Sequence, residues 1–180
     1  HKDISLLVID GAYGLGNHLP LPAGPLRESL RSALTRCHAV IMIGEDRQHL
    51  APLIPLPIFQ ASIAVEGDTT WLRDTPWLAF AGIARPQKFF DTLAAHGATL
   101  TETVCFADHH PYTHAELNNL LARAQAIGAR LITTEKDAVK LPGDLRESIA
   151  VLKISLRLAE PQRVADWLTQ HLLLAPHAHI

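Results

Sequence analysis

The chain has 180 residues, 48% of them hydrophobic, with 16 basic against 18 acidic side chains and a formal charge of −2. That composition can bury a full core in one domain or two small ones and excludes a disordered chain. It contains no basic run or aromatic-interleaved stripe, so nucleic acid is not an expected partner. Its longest apolar stretches, such as 4–9 and 172–175, fall far below the ~20 residues that a membrane-spanning helix needs. Cys37 and Cys105 stand apart, without metal-ligand spacing, and read as buried, reduced thiols of a cytoplasmic compartment. A chain that begins with His1 and whose single methionine, Met42, falls inside a strand reads as a fragment or a processed product.

In chain order, Ile4 to Asp10 is an apolar run ending in a carboxylate, the pattern of a buried strand. A loop rich in glycine and proline follows from Gly11 to Gly24. Pro25 then opens a helix through Leu26, Leu30, Ala33 and Leu34, with Arg27 and Glu28 in its first turn. Strands are expected at 38–43, 59–65 and 77–81, then a loop at 82–85 and a helix from Pro86 to Ala95 closed by Gly97. Leu100 to Phe106 is the next strand. Pro111 forbids helix at His110, and Thr113-His114-Ala115-Glu116 opens a helix to Ile127 as a Thr-x-x-Glu capping box. A strand at 130–133, a turn at 134–137, a short helix to Leu141, a strand at 149–154 and an amphipathic helix from Pro161 to Leu173 complete the chain. His177 and His179 read as terminal tail.

Strands alternating with helices of ~10–15 residues argue an α/β fold, a layered, largely parallel sheet flanked by helices. One domain over 1–180 is the expectation. The proline-rich stretch 52–57 is its candidate hinge, although a packed extended loop explains that stretch equally well. In such a sheet the loops after 77–81, 100–106 and 130–133 share one edge, where α/β folds place their chemistry.

The most informative of these loops is Phe106-Ala107-Asp108-His109-His110-Pro111-Tyr112, which sets a carboxylate and two imidazoles just past a strand end. Asp108 either begins a turn among solvated histidines or belongs to a site. Glycines 11, 14 and 16 give G-x-x-G-x-G rather than the dinucleotide spacing, and G-x-x-x-x-G-K-[ST] occurs nowhere in the chain. Glu28 suits a helix dipole; alternatively, Arg27 and Glu28 serve a phosphate and its magnesium as a guanidinium fork and a hard oxygen. Thr134 suits a helix cap with Glu135 and Asp137 as ordinary first-turn acids; alternatively, Lys136 and the hydroxyls touch a nucleotide or phosphate. Asp108, His109, His110 and His114 could hold zinc only with further ligands, since adjacent residues rarely point at one metal.

Five blocks occur together in order: Val8-Ile9-Asp10-Gly11 with Gly14-Leu15-Gly16-Asn17, Leu21 to Glu28, Phe80 to Phe90, Phe106 to His110, and Thr133-Thr134-Glu135-Lys136-Asp137. In that order they resemble the tetraacyldisaccharide 4'-kinase family of lipid A biosynthesis, over about Asp3 to Trp167. The resemblance covers the C-terminal half or so of that family, whose N-terminal half carries a membrane-associating helix, the P-loop and further acidic residues. It implies a fold like that of P-loop NTPases, with ATP and Mg2+ as cofactors. The implied reaction carries the γ-phosphate to the 4'-hydroxyl of a lipid A disaccharide precursor at the cytoplasmic face of the inner membrane. The membrane surface would be reached through the N-terminal lobe. Carried over by motif, His109 would polarise the reacting hydroxyl or relay its proton with an aspartate of the N-terminal half while Asp108 fixes the loop, and Glu28 would organise magnesium or phosphate. Arg27, Lys136 and Thr134 are the phosphate-side candidates. Ala84, Ser29 and Ala107 stand where the family has glycine, proline and proline, so this chain departs in loop geometry rather than in its chemical groups. Lacking the P-loop lysine, the chain alone is expected to be inactive. The readings from other classes are a metal-dependent phosphoesterase and a non-catalytic nucleotide-binding or interaction domain.

Overall fold

The computed structural model describes residues 3–17, 19 and 21–174, so His177 and His179 lie outside the described residues. The strands are β1 (Leu6–Asp10), β2 (Ala39–Ile43), β3 (Ile58–Val65), β4 (Pro76–Ala81), β5 (Thr99–Cys105), β6 (Arg130–Thr134), β7 (Ala150–Leu152) and β8 (Ile154–Leu158). The helices are α1 (Leu30–Leu34), α2 (Pro86–Ala95), α3 (His114–Ala126), α4 (Glu135–Ala138), α5 (Gly143–Arg146) and α6 (Pro161–Leu174). No helix among the described residues is long and apolar enough to cross a membrane.

The chain forms two compact units, His1–Ala64 with Leu156–Ile180 and Val65–Ser155, where one domain hinged near 52–57 was expected. The divisions fall inside β3 and β8. The stretch 52–57 instead lies within the first unit, where Ala51–Leu53 makes one 3-10 turn and Ile54 is buried with Leu50, Val40 and Met42. Ile54 and the half-buried Leu56 anchor this stretch to the core, while Leu53 and the three prolines are exposed.

The first unit has the strand order β1-β2-β3-β8, with β1, β2 and β3 parallel. β2 reads Ala-Val-Ile-Met-Ile and buries its first four residues, as a central strand covered on both faces must. One face packs Ile9, Val40, Met42 and Leu50. The other packs Ala39 and Phe59 against Val164 of α6, with Trp167 edge-on to Phe59 at 5.5 Å. The helix expected from Pro25 starts later, at Leu30, so Arg27 and Glu28 precede it. The backbone of Leu26 is committed to Leu19 and Leu21, and the Ser29 side chain accepts the Ser32 N–H as N-cap at 3.2 Å.

The second unit has the order β5-β4-β6-β7, every adjacent pair parallel. Trp77 to Ala81 of β4 are fully buried between two clusters, one with Leu117, Leu120 and Leu131, the other with Phe89, Phe90 and Leu93. α2 begins with Pro86 at its first position, and α3 with the complete Thr113/Glu116 capping box. β5 alternates exposed and half-buried residues, and Cys105 falls on the exposed side. The expectation of a buried thiol is therefore corrected: β5 is an edge strand with one open face, not a central one. The strand expected at 149–154 ends at Leu152, and β8 follows as a separate strand after Lys153.

Candidate functional site

Because β5, β4, β6 and β7 run parallel, their carboxyl ends lie along one edge of the sheet. The chain passes from β4 outward to β5, then crosses back to β6 on the other side of β4. The direction of winding therefore reverses between β4 and β6, the position at which open α/β sheets form their ligand crevice. The loop after β4 starts at Gly82, the loop after β5 runs from Phe106 to Tyr112, and β6 turns directly into α4.

Asp108 and His109 occupy the tip of the β5 loop. Asp108 Oδ1 accepts the His109 N–H at 3.1 Å, and its Oδ2 lies 3.7 Å from His109 Nε2. Lys136 reaches in from α4, its Nζ 3.8 Å from Asp108 Oδ1. The structure thus brings to the adjacent carboxylate and imidazole an ammonium that lies 28 and 27 residues further along the chain, with the His109 side chain 70% exposed. His109 has φ +61°, a left-handed backbone rare outside glycine. The neighbouring His110 turns elsewhere: its Nε2 lies 3.0 Å from Glu116 Oε1, and its ring packs 4.7 Å from that of Phe106. The Thr113 backbone N–H holds the Glu116 carboxyl below its ordinary value, with further help from the Thr113 hydroxyl and His110.

Thr134 is the N-cap of α4. Its Oγ1 accepts the Asp137 N–H at 3.1 Å and donates to Asp137 Oδ2 at 2.9 Å. Asp137 is wholly buried. Burial pushes its carboxyl upward, but the Lys140 ammonium at 3.0 Å, the Gly82 N–H at 3.0 Å and the Thr134 hydroxyl together outweigh it and hold the group below the usual carboxylate value. Tyr112 Oη is buried without a hydrogen-bond partner, and burial together with the nearby Asp137 charge pushes the phenol up. Asp137 and Tyr112 are the polar residues that sequence reasoning did not single out. The available signal for Asp137 was its place three residues after Thr134, the spacing at which an N-cap meets a first-turn acid.

Arg27 and Glu28 belong to the first unit. With Asp10 and Gly14 they line a cavity of about 240 Å³. Glu28 pairs through Oε1 with Arg36, and its Oε2 accepts the Ser32 hydroxyl at 2.8 Å. Asp10 Oδ1 accepts the N–H groups of Ala12 and Tyr13, which turns the chain out of β1. A Cβ on Gly11 would lie 2.5 Å from Glu45 O, so only glycine lets this loop pass there. Among the described residues, no three His, Cys, Asp or Glu side chains converge as a metal site, which leaves the zinc and phosphoesterase readings without a ligand set. Magnesium makes a smaller demand, one or two carboxylates with water and phosphate supplying the rest, and Asp10 and Glu28, which line one cavity, are carboxylates of that kind.

These features define an α/β fold whose parallel sheets carry their polar groups at the strand ends. The chain belongs to the tetraacyldisaccharide-1-P 4'-kinase family, whose profile matches residues 1–173. It is 48% identical over 158 residues to a tetraacyldisaccharide 4'-kinase of Paramagnetospirillum magneticum, covering 86% of this chain and 49% of that protein. It is 44% identical over 178 residues to one of Rhodospirillum centenum, covering 97% of this chain and 51% of that protein. The chain therefore spans about half the length of the curated relatives it matches. The fold is also that of LpxK from Aquifex aeolicus solved in complex with ATP, with a TM-score of 0.65 at 22% identity, over 96% of this chain and 53% of that one.

Proposed function

We propose that this chain is the C-terminal portion of a kinase that transfers the γ-phosphate of MgATP to the 4'-hydroxyl of a tetraacyldisaccharide 1-phosphate in lipid A biosynthesis. An N-terminal lobe supplies the P-loop and the approach to the cytoplasmic face of the inner membrane. The observation that carries this reading is the grouping of His109, Asp108 and Lys136 at the carboxyl edge of a parallel sheet, in a chain of this family.

Phosphoryl transfer asks a protein for positioning and charge neutralisation rather than covalent chemistry. His109 is exposed and held at a loop tip, so its ring polarises the attacking hydroxyl or passes on its proton. Asp108 fixes the loop by accepting the His109 N–H, and its second oxygen faces the ring. Lys136 in the second unit and Arg27 in the first are each a cationic donor suited to a phosphate oxygen. Thr134 acts through the start of α4, since its hydroxyl is committed to Asp137, and so sets where Lys136 stands. Magnesium, when bound, neutralises charge on the transferring phosphate, and Glu28 with Asp10 is the donor set for it. Arg36 is the counter-ion of Glu28 in this structure, and a magnesium ion held by Glu28 would compete with it for the carboxylate.

The test is ATP-dependent phosphorylation of a tetraacyldisaccharide 1-phosphate by the 180-residue chain and by the complete protein. Activity in the complete protein alone is the expected result. Robust transfer by the isolated chain, or none by the complete protein, overturns the proposal.

A further inference from the structure

We propose that Asp137, a side chain with no exposure to solvent, is the positioning residue that sets the backbone of His109 through the backbone of Gly82. Asp137 Oδ2 accepts the Gly82 N–H at 3.0 Å, and the Gly82 carbonyl accepts the His109 N–H at 3.1 Å. The backbone of one residue, by the N–H of the peptide before its Cα and the carbonyl of the peptide after it, therefore links a buried carboxylate on α4 to the imidazole-bearing residue of the β5 loop. The link runs across the point where the winding of the sheet reverses. This inference rests on the role assigned above to His109.

Three features make the link more than ordinary packing. His109 sits at φ +61°, a conformation that a β-carbon disfavours and that persists only where the surroundings impose it. Its N–H is shared between the Gly82 carbonyl and Asp108 Oδ1, both at 3.1 Å, so the Gly82 link and the Asp108 turn hold the same group from two sides. The space around Gly82 is closed: a Cβ there would lie 2.8 Å from Tyr112 Oη, 3.1 Å from Ala107 O and 3.3 Å from Asp137 Oδ1. The Gly82 Cα and its two flanking peptides are fitted between the β5 loop and α4, and movement of either is passed to the other. A buried carboxylate is a costly way to hold two loops unless its charge is matched, and Lys140 Nζ at 3.0 Å provides that match. The two donors other than Lys140 both come from loops or caps at the site edge, which an aliphatic core residue could not tie.

The experiment uses the complete protein with Asp137→Asn and, separately, Gly82→Ala, which displaces the same backbone link while keeping both the carboxylate and Lys140 in the sequence. Expected is a kcat loss of roughly 10- to 100-fold from misplacement of the reacting group, with KM for ATP within about twofold. Amide hydrogen exchange is expected to quicken at residue 82 and at 107–110 and to stay unchanged in α2 and α3. A folded variant with wild-type kcat and wild-type exchange at His109 overturns the proposal, and so does faster exchange spread evenly through residues 65–155. If Asp137→Asn fails to fold, Gly82→Ala decides. If the complete wild-type protein shows no kinase activity, the proposed function fails, while the exchange pattern still decides whether Asp137 holds His109.

Discussion

Two acidic clusters in this chain look alike in sequence and differ in their physics. Glu28 lies beside a helix start in the first unit, a third exposed, with Arg36 as an ion partner that is itself two-thirds exposed. Asp137 lies in the first turn of α4 in the second unit, with no exposure, and three donors converge on it. The first arrangement sits in high dielectric, where a counter-ion is exchanged cheaply and a metal cation can take its place. The second is locked, because releasing any donor leaves a buried carboxylate unsatisfied. An exchangeable acid suits a ligand site, and a locked one suits a frame.

The largest expected effect tests the frame through what it holds. In the complete protein, His109→Ala lowers kcat by roughly 10²- to 10⁴-fold with a smaller change in KM, the range of a positioned acid–base group. His110→Ala, which removes the contacts with Glu116 and Phe106, costs less catalysis and acts through packing. Steady-state kinetics on the two single variants decides this, and a larger loss at His110 means that the other imidazole does the chemistry.

Next in size, Glu28→Gln in the complete enzyme lowers kcat by ~10²-fold and shifts the magnesium dependence, as lost electrostatic stabilisation does. Unchanged kcat and magnesium response reduces Glu28 to the ion partner of Arg36 and removes the exchangeable side of the contrast.

Stability separates the clusters directly. Lys140→Ala leaves the Asp137 carboxylate buried without its cation and costs about 2 kcal/mol or more, whereas Arg36→Ala costs below about 1 kcal/mol. Denaturant unfolding of both variants measures the difference, and equal costs erase the distinction.

The smallest effect is acidic. Asp137 has a folded pKa below its ordinary value of 3.8, so its contribution is fully present above that value and is lost as pH falls through the lower folded one. Wild-type stability should therefore decline below about pH 4, and Asp137→Asn should flatten that part of the curve. A parallel decline in both proteins means that other carboxylates carry the acid sensitivity.

What the sequence determined by itself is whatever depends on near neighbours. The apolar runs place β1, β2, β4 and β6 within a residue or two, Pro86 and Gly97 bound α2, and Thr113 with Glu116 starts α3, because periodicity and capping act over three or four positions. That Asp108, His109 and His110 lie on a short strand-to-helix loop was likewise legible from Pro111 and the capping box, although the left-handed turn at His109 was not. What only the tertiary structure decided depends on residues far along the chain. Cys105 is exposed because β5 lies at a sheet edge, and the helix expected from Pro25 waits until Leu30 because the Leu26 backbone bonds to Leu19 and Leu21. Residues 52–57 are packed by Val40 and Met42 into the first unit. Asp137 reads locally as an ordinary first-turn acid. Its partner Gly82 is 55 residues away, and only the folded sheet, by setting the ends of β4 and β6 side by side, turns that acid into a buried tie.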